Sequence, residues 1–124
     1  MAWKFNNDSP IYLQIMDEIK FRIAQGKLKS GDQVPPVREL AMKAGVNPNT
    51  MQKALAELER EGVLYSQRTS GRYVAGPEDG GLSMRDKVSF KYAQSYVEGM
   101  RGLGYENGEL VDRLKVYLEE EKNE

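Results

Sequence analysis

The sequence predicts a mostly α-helical fold with one small β-hairpin, followed by a helical hairpin of two further helices. Three observations support this prediction. Three segments carry apolar residues at helical spacing, the periodicity then changes to that of strands, and two more helical segments follow a stretch of turn formers and charged residues. A length of 124 residues fits one compact domain with a short appendage.

The first helix is predicted to start at Ser9-Pro10 and to run to about Gln25. A serine hydroxyl is a favourable cap, and proline is tolerated at the first helical position because its missing N–H would be unpaired there. Gly26 supplies a left-handed stop. The apolar stripe of this helix consists of Ile11, Ile15, Ile19 and Ile23, with Met16 beside it.

Two closely spaced helices come next. Pro36 opens a short one that Gly45 ends, and Asn47-Pro48 repeats the pattern of a capping residue followed by proline. The third helix ends before Gly62. The predicted buried residues are Val37, Leu40 and Ala41 on the second helix and Met51, Leu55 and Leu58 on the third.

Two short strands, residues 63–66 and 72–74, are predicted to form a hairpin through residues 68–71. The order of helix, short helix, tight turn, helix and hairpin is that of a winged helix-turn-helix domain. The turn around Gly45 holds the third helix across the second and leaves its N-terminal face exposed for a DNA major groove. We assign this domain to residues 1–76.

Residues 77–81 form the predicted linker, because they combine turn formers and charge. In the region 82–124, Ser83 and Asp86 resemble a capping pair, Gly102 and Gly104 end a fourth helix, and a fifth starts near Asn107. The fifth helix is predicted to dissolve at residues 119–121. Apolar side chains predicted to serve dimerisation are Met84, Val88, Tyr92, Tyr96, Met100, Leu110 and Leu114.

The composition excludes several functions. The chain has no cysteine and no histidine, which removes thiolate metal sites, thiol redox sensing and the commonest general base. No cofactor or metal is expected, and neither is an enzyme. The opening residues lack the apolar core of a signal peptide and no stretch is long enough to span a bilayer, so we expect a cytoplasmic protein without a membrane partner.

Charge is distributed unevenly. Residues 1–75 carry eleven Lys+Arg against eight Asp+Glu, whereas residues 76–124 carry seven against eleven. A mildly basic part followed by an acidic part favours a nucleic-acid partner for the first part only.

The polar face of the third helix is the predicted reading surface. Asn and Gln can pair bidentately with adenine, Lys can donate to guanine, and Thr can bond a base edge or touch a thymine methyl group. Capping alone also accounts for Asn47. The residues predicted to contact DNA here are Asn47, Asn49, Thr50, Gln52 and Lys53.

Arginines flank this helix in the sequence. Arg38 lies early on the second helix, where a guanidinium can clamp a phosphate or reach a guanine edge. On the hairpin, small residues let the backbone approach a sugar-phosphate strand. An ordinary hairpin turn has a similar composition. The predicted contacts of this wing are Arg68, Ser70, Gly71 and Arg72.

Several ordered motifs within residues 9–75 resemble the GntR family of bacterial transcription regulators. They are Ser9-Pro10-Ile11-Tyr12, Gly31 with Val34-Pro35-Pro36-Val37-Arg38-Glu39-Leu40-Ala41, Asn47-Pro48-Asn49-Thr50-Met51-Gln52-Lys53-Ala54, and Leu58-Glu59-Arg60-Glu61-Gly62. The short tail is similar to that of the YtrA-like subfamily. This resemblance implies a homodimeric repressor and DNA contacts by Arg38, Asn49, Thr50, Gln52 and the wing around Gly71.

The chain departs from the family pattern at four positions. Pro36 stands in place of a usual serine, and Thr69 in place of the first glycine of the wing tip. Pro48 and Gln52 occupy positions where other subfamilies have arginines. The reading face is therefore free of arginine, and we expect it to favour adenine-containing half-sites of a palindromic operator in double-stranded DNA.

Three alternatives remain open at this stage. A winged helix can act as a protein-interaction adaptor without specific DNA binding. The glycines between Gly102 and Gly108 resemble a phosphate-binding loop, but the third comes one residue late and the segment follows a helix. The tail stripe can pack on a second subunit or on the chain's own first helix, and its tyrosines can also serve an unidentified small-molecule effector.

Overall fold

A computed structural model describes residues 3–77 and 81–123. Its elements are α1 (Ile11–Ala24), α2 (Val37–Ala44), α3 (Pro48–Arg60), β1 (Leu64–Gln67), β2 (Gly71–Val74), α4 (Met84–Gly102) and α5 (Asn107–Lys122). The prediction of a mostly α-helical fold with a small hairpin is confirmed. Two compact units, Met1–Val88 and Ser89–Glu124, divide within α4.

The start of α1 differs from the prediction. Pro10, not Ser9, is the residue that precedes the first turn, and no side chain caps it. Gln14 fixes the entering chain instead: its Nε2 donates to the carbonyl of Ser9 over 2.7 Å and to that of Asn6 over 3.0 Å. The helix ends as predicted, with Gly26 at a φ of 80°.

The turn between α2 and α3 has the predicted geometry. Gly45 adopts the left-handed conformation, with a φ of 71° and a ψ of 36°, which a glycine reaches without steric cost. Two residues later, the side chain of Asn47 accepts a hydrogen bond from the backbone N–H of Asn49 over 2.7 Å. Pro48 follows as the first residue of α3.

The β-hairpin is shifted by about one residue from its predicted bounds. β1 starts at Leu64 rather than Val63, and both Gln67 and Gly71 belong to the ladder, in which Leu64 pairs with Val74 and Gln67 with Gly71. The segment before α2 extends the pairing, since the N–H of Val34 donates to the carbonyl of Arg72 over 2.8 Å. β2 is therefore bonded to β1 on one side and to the segment before α2 on the other.

One hydrophobic core fixes α3 in place. α1, α2 and β1 all pack against this helix. Burial of large apolar side chains is the main favourable term in folding, so the helix that carries the predicted reading face is also the centre of the core. The fully buried large side chains are Ile15, Ile19, Met51, Leu55, Leu58, Leu64 and Val74.

The second unit contains most of α4 and all of α5. α5 begins with a capping box, in which the N–H of Glu106 donates to the Glu109 carboxylate over 3.1 Å. The hydroxyl of Tyr96 donates to the carbonyl of Leu110 over 2.7 Å. The prediction that α5 dissolves at residues 119–121 is wrong, because this run of good helix formers stays helical to Lys122.

The fourth helix begins with the predicted capping pair. The hydroxyl oxygen of Ser83 accepts from the N–H of Asp86 over 3.1 Å. Residues 78–80 of the predicted linker lie outside the described residues, so the assigned domain limits of 1–76 and 82–124 stay a prediction. Among the described helices, none is long and apolar enough to span a membrane.

Candidate nucleic-acid interface

The N-terminal half of α3 presents polar side chains to solvent. Asn49, Gln52 and Lys53 are exposed and Thr50 is partly exposed. Met51, Leu55 and Leu58 point the other way and are fully buried. The amphipathic pattern of one helix therefore serves both the core and the surface.

Asn47 has a structural role that the sequence already indicated. Its side-chain oxygen accepts from the Asn49 N–H and caps α3. This bond fixes the first turn, where the unpaired backbone N–H groups and the positive end of the helix dipole attract phosphate.

Lys53 lies against an aromatic ring. Its Nζ is 4.0 Å from the ring centroid of Tyr12, on α1. A cation over the face of an aromatic ring at this distance is attracted by the ring quadrupole. Sequence reasoning did not assign a role to Tyr12, although the residue lies in a motif that marks the resemblance. The contact restricts the ammonium group to one side of α3.

The wing and α3 are joined by a polar network. The Nε of Arg72, on β2, donates to the Glu59 carboxylate over 2.5 Å. The Ser66 hydroxyl, on β1, donates to the same carboxylate. The Arg72 Nη1 also lies 3.4 Å from the side-chain oxygen of Gln52. Arg72 was predicted to contact DNA, and the structure places it in this network with 19% of its side chain exposed.

Glu59 is the acidic centre of the network. The hydrogen bond from the Ser66 hydroxyl, and the hydrogen bond and charge of Arg72, hold the pKa of the Glu59 carboxyl below its ordinary value of 4.5, although partial burial acts in the opposite direction. The carboxylate is consequently ionised at neutral pH and keeps Arg72 in place. The sequence showed Glu59 only as one of several charged residues near the end of α3.

The wing tip is formed by three exposed residues, Arg68, Thr69 and Ser70. Gly71 follows with a φ of 111°, and a Cβ at this position would come within 3.2 Å of the Gln33 Nε2. The same Nε2 donates to the carbonyl of Ser70 over 2.5 Å. Gln33, another residue that sequence reasoning missed, thus holds the tip from the segment before α2.

Arg38 is exposed as the second residue of α2. The described part of the chain contains no group of three acidic side chains able to hold a metal ion. The glycine-containing segment after α4 lies between two helices, with Gly104 at a φ of 95°, so it lacks the strand that precedes a phosphate-binding loop.

The tail stripe, defined as the seven residues predicted to serve dimerisation, has mixed exposure. Tyr92 is 63% exposed and Leu114 is 42% exposed, whereas Leu110 is only 8% exposed. No residue of α4 is fully buried. Met84, Val88, Tyr96 and Met100 are half-buried, so Tyr92 and Leu114 are the two members of the stripe that are exposed.

Known proteins resemble both parts of the chain. Residues 11–74 match the family described as bacterial regulatory proteins, gntR family. The HTH-type transcriptional regulator YhcF of Bacillus subtilis is 34% identical over 94% of this chain and 96% of its own length. The HTH-type transcriptional repressor YtrA of the same organism is 45% identical over 56% of this chain and 53% of its own length.

Solved structures agree with these relatives. A GntR family transcriptional regulator from Listeria monocytogenes superposes with a TM-score of 0.78 at 32% identity, over 90% of this chain and 97% of that one. The DNA-binding domain of AraR, solved in complex with operator ORX1, matches with a TM-score of 0.55 at 32% identity, over 60% of this chain and 99% of its own.

Proposed function

Because the chain belongs to the gntR family of bacterial regulatory proteins, we propose that it is a homodimeric repressor that binds operator DNA through α3 and the β-hairpin. The chain is a DNA-binding transcription regulator and its relatives are not enzymes. The observation that carries the proposal is the exposed, arginine-free polar face at the start of α3. The adaptor alternative is not favoured, since the matched proteins are regulators.

Base recognition is assigned to the exposed face of α3. Asn49 and Gln52 carry amides that can pair with adenine, and Thr50 can contact a thymine methyl group. The Arg72 Nη1 lies 3.4 Å from the Gln52 side-chain oxygen, which leaves the two N–H groups of the amide free to turn toward a base acceptor. Half-sites rich in A·T pairs are the expected targets.

Phosphate contacts are assigned to the surrounding cations. Arg38 is exposed on α2 and Arg68 is exposed at the wing tip, while Lys53 is held beside α3 by Tyr12. Contacts of this kind give affinity that falls with salt and carry no sequence information. Arg72 contributes to binding by holding the wing against α3 through Glu59.

The tail stripe is assigned to dimerisation. Exposed large apolar side chains that cluster on a surface are typical of an interaction site, and Tyr92 and Leu114 are the exposed members of the stripe. An apolar groove of about 480 Å³ on the second unit is lined by Tyr96, Met100 and Leu114 among others. A second copy of the chain is the occupant that a two-fold symmetric operator requires.

The signal that relieves repression is assigned to a small organic effector. The sequence contains neither cysteine nor histidine, so thiol chemistry and imidazole protonation are not available to it.

A salt-titrated gel-shift assay tests DNA binding directly. We expect the full chain to bind random duplex at low salt and to lose that binding steeply as salt rises. Arg68→Ala should lower the slope of log affinity against log salt by about 1, the effect of one lost phosphate contact. Arg60→Ala is the matched control, because Arg60 is exposed at the far end of α3 and pairs with Glu57.

Undetectable binding to any duplex at low salt contradicts the proposal. An equal change of slope in the Arg60 and Arg68 variants contradicts the assignment of the wing.

A further inference from the structure

Arg72 connects the wing to the face of α3 that is assigned to base recognition. Its Nε donates to the Glu59 carboxylate over 2.5 Å, and its Nη1 donates to the side-chain oxygen of Gln52 over 3.4 Å. Glu59 thus holds the guanidinium through Nε, while Nη1 lies beside Gln52. Because only 19% of the Arg72 side chain is exposed, its main influence on DNA binding passes through the residues that it contacts.

The spacing of residues along α3 makes this bridge possible. Gln52, Ala56 and Glu59 follow one another at intervals of four and three residues, so they form one row along the helix. The alanine between the two polar residues has no side chain beyond its Cβ. A guanidinium from the wing can therefore extend from the Glu59 carboxylate to Gln52 without meeting a larger side chain in this row.

The chemistry of arginine decides which atom of the Gln52 amide faces it. A guanidinium carries five N–H donors and no acceptor. The oxygen is thus the only atom of the amide that can bond to Arg72, and the NH2 group is directed away. No residue in the described part of the chain bonds to that NH2 group.

Recognition of adenine by an amide requires both of its polar atoms. The oxygen accepts from the adenine N6 amino group while the NH2 group donates to N7. The Gln52 oxygen is turned toward the wing, so it cannot face a base together with the nitrogen while its bond to Arg72 is kept. Asn49 differs, because its side-chain amide has no hydrogen bond within the described residues and stays available for adenine.

Guanine presents a different edge to the major groove. Its N7 and O6 are both acceptors, and the ammonium of a lysine can donate to the two from a single nitrogen. The NH2 group of Gln52 also carries two N–H donors on one nitrogen. With its oxygen held by Arg72, Gln52 offers donors alone, which complement guanine and leave the amino group of adenine without an acceptor.

We propose that Arg72 is a specificity-determining residue that directs Gln52 to a guanine. Arg72 acts through the amide of Gln52 and is therefore a positioning residue. Each half-site then contains one G·C pair, read by Gln52, in addition to the adenine read by Asn49. The inference rests on the proposed function, because it concerns the base that α3 contacts in the operator.

The base preferences of three proteins, obtained by selection from a random duplex pool, test this assignment. Gln52→Ala identifies the position that Gln52 contacts, because the preference there is relaxed. The natural chain should select G·C over A·T at this position by about fivefold or more, the discrimination of one good pair of hydrogen bonds. Arg72→Met removes the donors and keeps a long unbranched side chain, so the released oxygen should shift the preference to A·T.

Ser66→Ala is the matched control. It removes the other hydrogen bond between the hairpin and Glu59 and leaves the contact of Arg72 with Gln52 in place. A wing that is merely loosened weakens binding to every sequence, so this variant should bind less tightly and still select G·C. Circular dichroism shows whether each variant is folded.

A second measurement does not depend on any variant of Arg72. In 7-deazaguanine a C–H group replaces the N7 acceptor. Placing this base at the selected position should weaken binding of the natural chain about fivefold, and should leave the binding of Gln52→Ala unchanged.

Selection of A·T by the natural chain at the Gln52 position overturns the inference. So does G·C in a folded Arg72→Met variant, the same shift in Ser66→Ala as in Arg72→Met, or an equal effect of 7-deazaguanine on the natural chain and on Gln52→Ala. Failure of the natural chain to enrich any sequence contradicts the proposed function as well. An enriched operator with a pair other than G·C at the Gln52 position contradicts this inference alone.

Discussion

The Nε of Arg72 on the wing lies 2.5 Å from the Glu59 carboxylate on α3. This ion pair is largely shielded from water, with side-chain exposures of 19% for Arg72 and 29% for Glu59. The Ser66 hydroxyl bonds the same carboxylate from β1. Glu59 therefore ties both strands of the hairpin to α3, in addition to the backbone bonds between β2 and the segment before α2.

Replacing Glu59 should therefore weaken DNA binding, although the Glu59 side chain itself is not among the proposed DNA contacts. In Glu59→Gln, the Arg72 guanidinium loses its charged partner and the wing is held less firmly against α3. We expect operator affinity to fall about two- to fivefold, the size of a lost partly exposed ion pair. The matched control is Glu57→Gln, which removes the partner of the exposed Arg60. Equal losses in the two variants, measured by fluorescence anisotropy, contradict the role of Glu59.

The network should also appear in the pH dependence of stability. The Ser66 hydrogen bond and the Arg72 charge lower the pKa of Glu59 in the folded chain. A lowered folded pKa contributes stability that is present above the unfolded value and is lost as the pH falls through the folded value. Urea unfolding at about pH 7 and about pH 3 should thus show the natural chain more stable than Glu59→Gln at the higher pH, with the difference shrinking at the lower one. A difference that stays constant with pH contradicts the assignment.

Gly71 is expected to resist substitution. It has a φ of 111°, and an added Cβ would meet the Gln33 side chain at 3.2 Å. Gly71→Ala should cost about 1 kcal/mol or more in unfolding free energy and should weaken DNA binding through the wing tip. The control is Gly108→Ala on α5, where a Cβ meets nothing within 4 Å and φ is not positive. The free energy of unfolding of Gly108→Ala, measured by chemical denaturation, should equal or exceed that of the natural chain. If Gly71→Ala is instead the more stable of the two variants, the described geometry of the wing tip is contradicted.

The oligomeric state should change when the exposed Tyr92 of α4 is replaced. Tyr92→Glu places a charge in the tail stripe and should weaken a dimer about thirtyfold or more, as loss of a central aromatic anchor does. Gln94→Glu introduces the same charge on the same helix, two residues away and about 200° around its axis, and Gln94 is exposed. Sedimentation velocity should find the Tyr92 variant as a monomer and the Gln94 variant as a dimer. A dimer in both cases contradicts the assigned interface.

Local patterns in the sequence predicted most of the fold correctly. The isoleucine stripe of α1, the glycine at position 45 and the Asn47-Pro48 start of α3 each depend on neighbouring residues alone, and each matches the structure. The errors lie at element ends. Ser9 does not cap α1, because Gln14 reaches back to the preceding carbonyls, and α5 continues past its acidic run.

The candidate site was predictable only in part. The exposed face of α3 follows from helical periodicity, which correctly placed Asn49 and Gln52 at the surface; their contact with DNA stays a prediction. The partners that hold the site come from distant positions: Tyr12 beside Lys53, Gln33 beside the wing tip and Glu59 beside Arg72. Contacts between residues so far apart in sequence leave no local pattern, and the structure was needed to see that Arg72 is paired rather than free.

Selection of bound sequences from a random duplex pool tests most directly whether α3 reads the operator. We expect an inverted repeat whose half-sites are about one helical turn apart and contain adenine, with the preference at one position relaxed in Gln52→Ala. Failure to enrich any sequence, or an identical preference in the natural chain and the Gln52→Ala variant, would contradict the assignment of α3 as the helix that reads the operator.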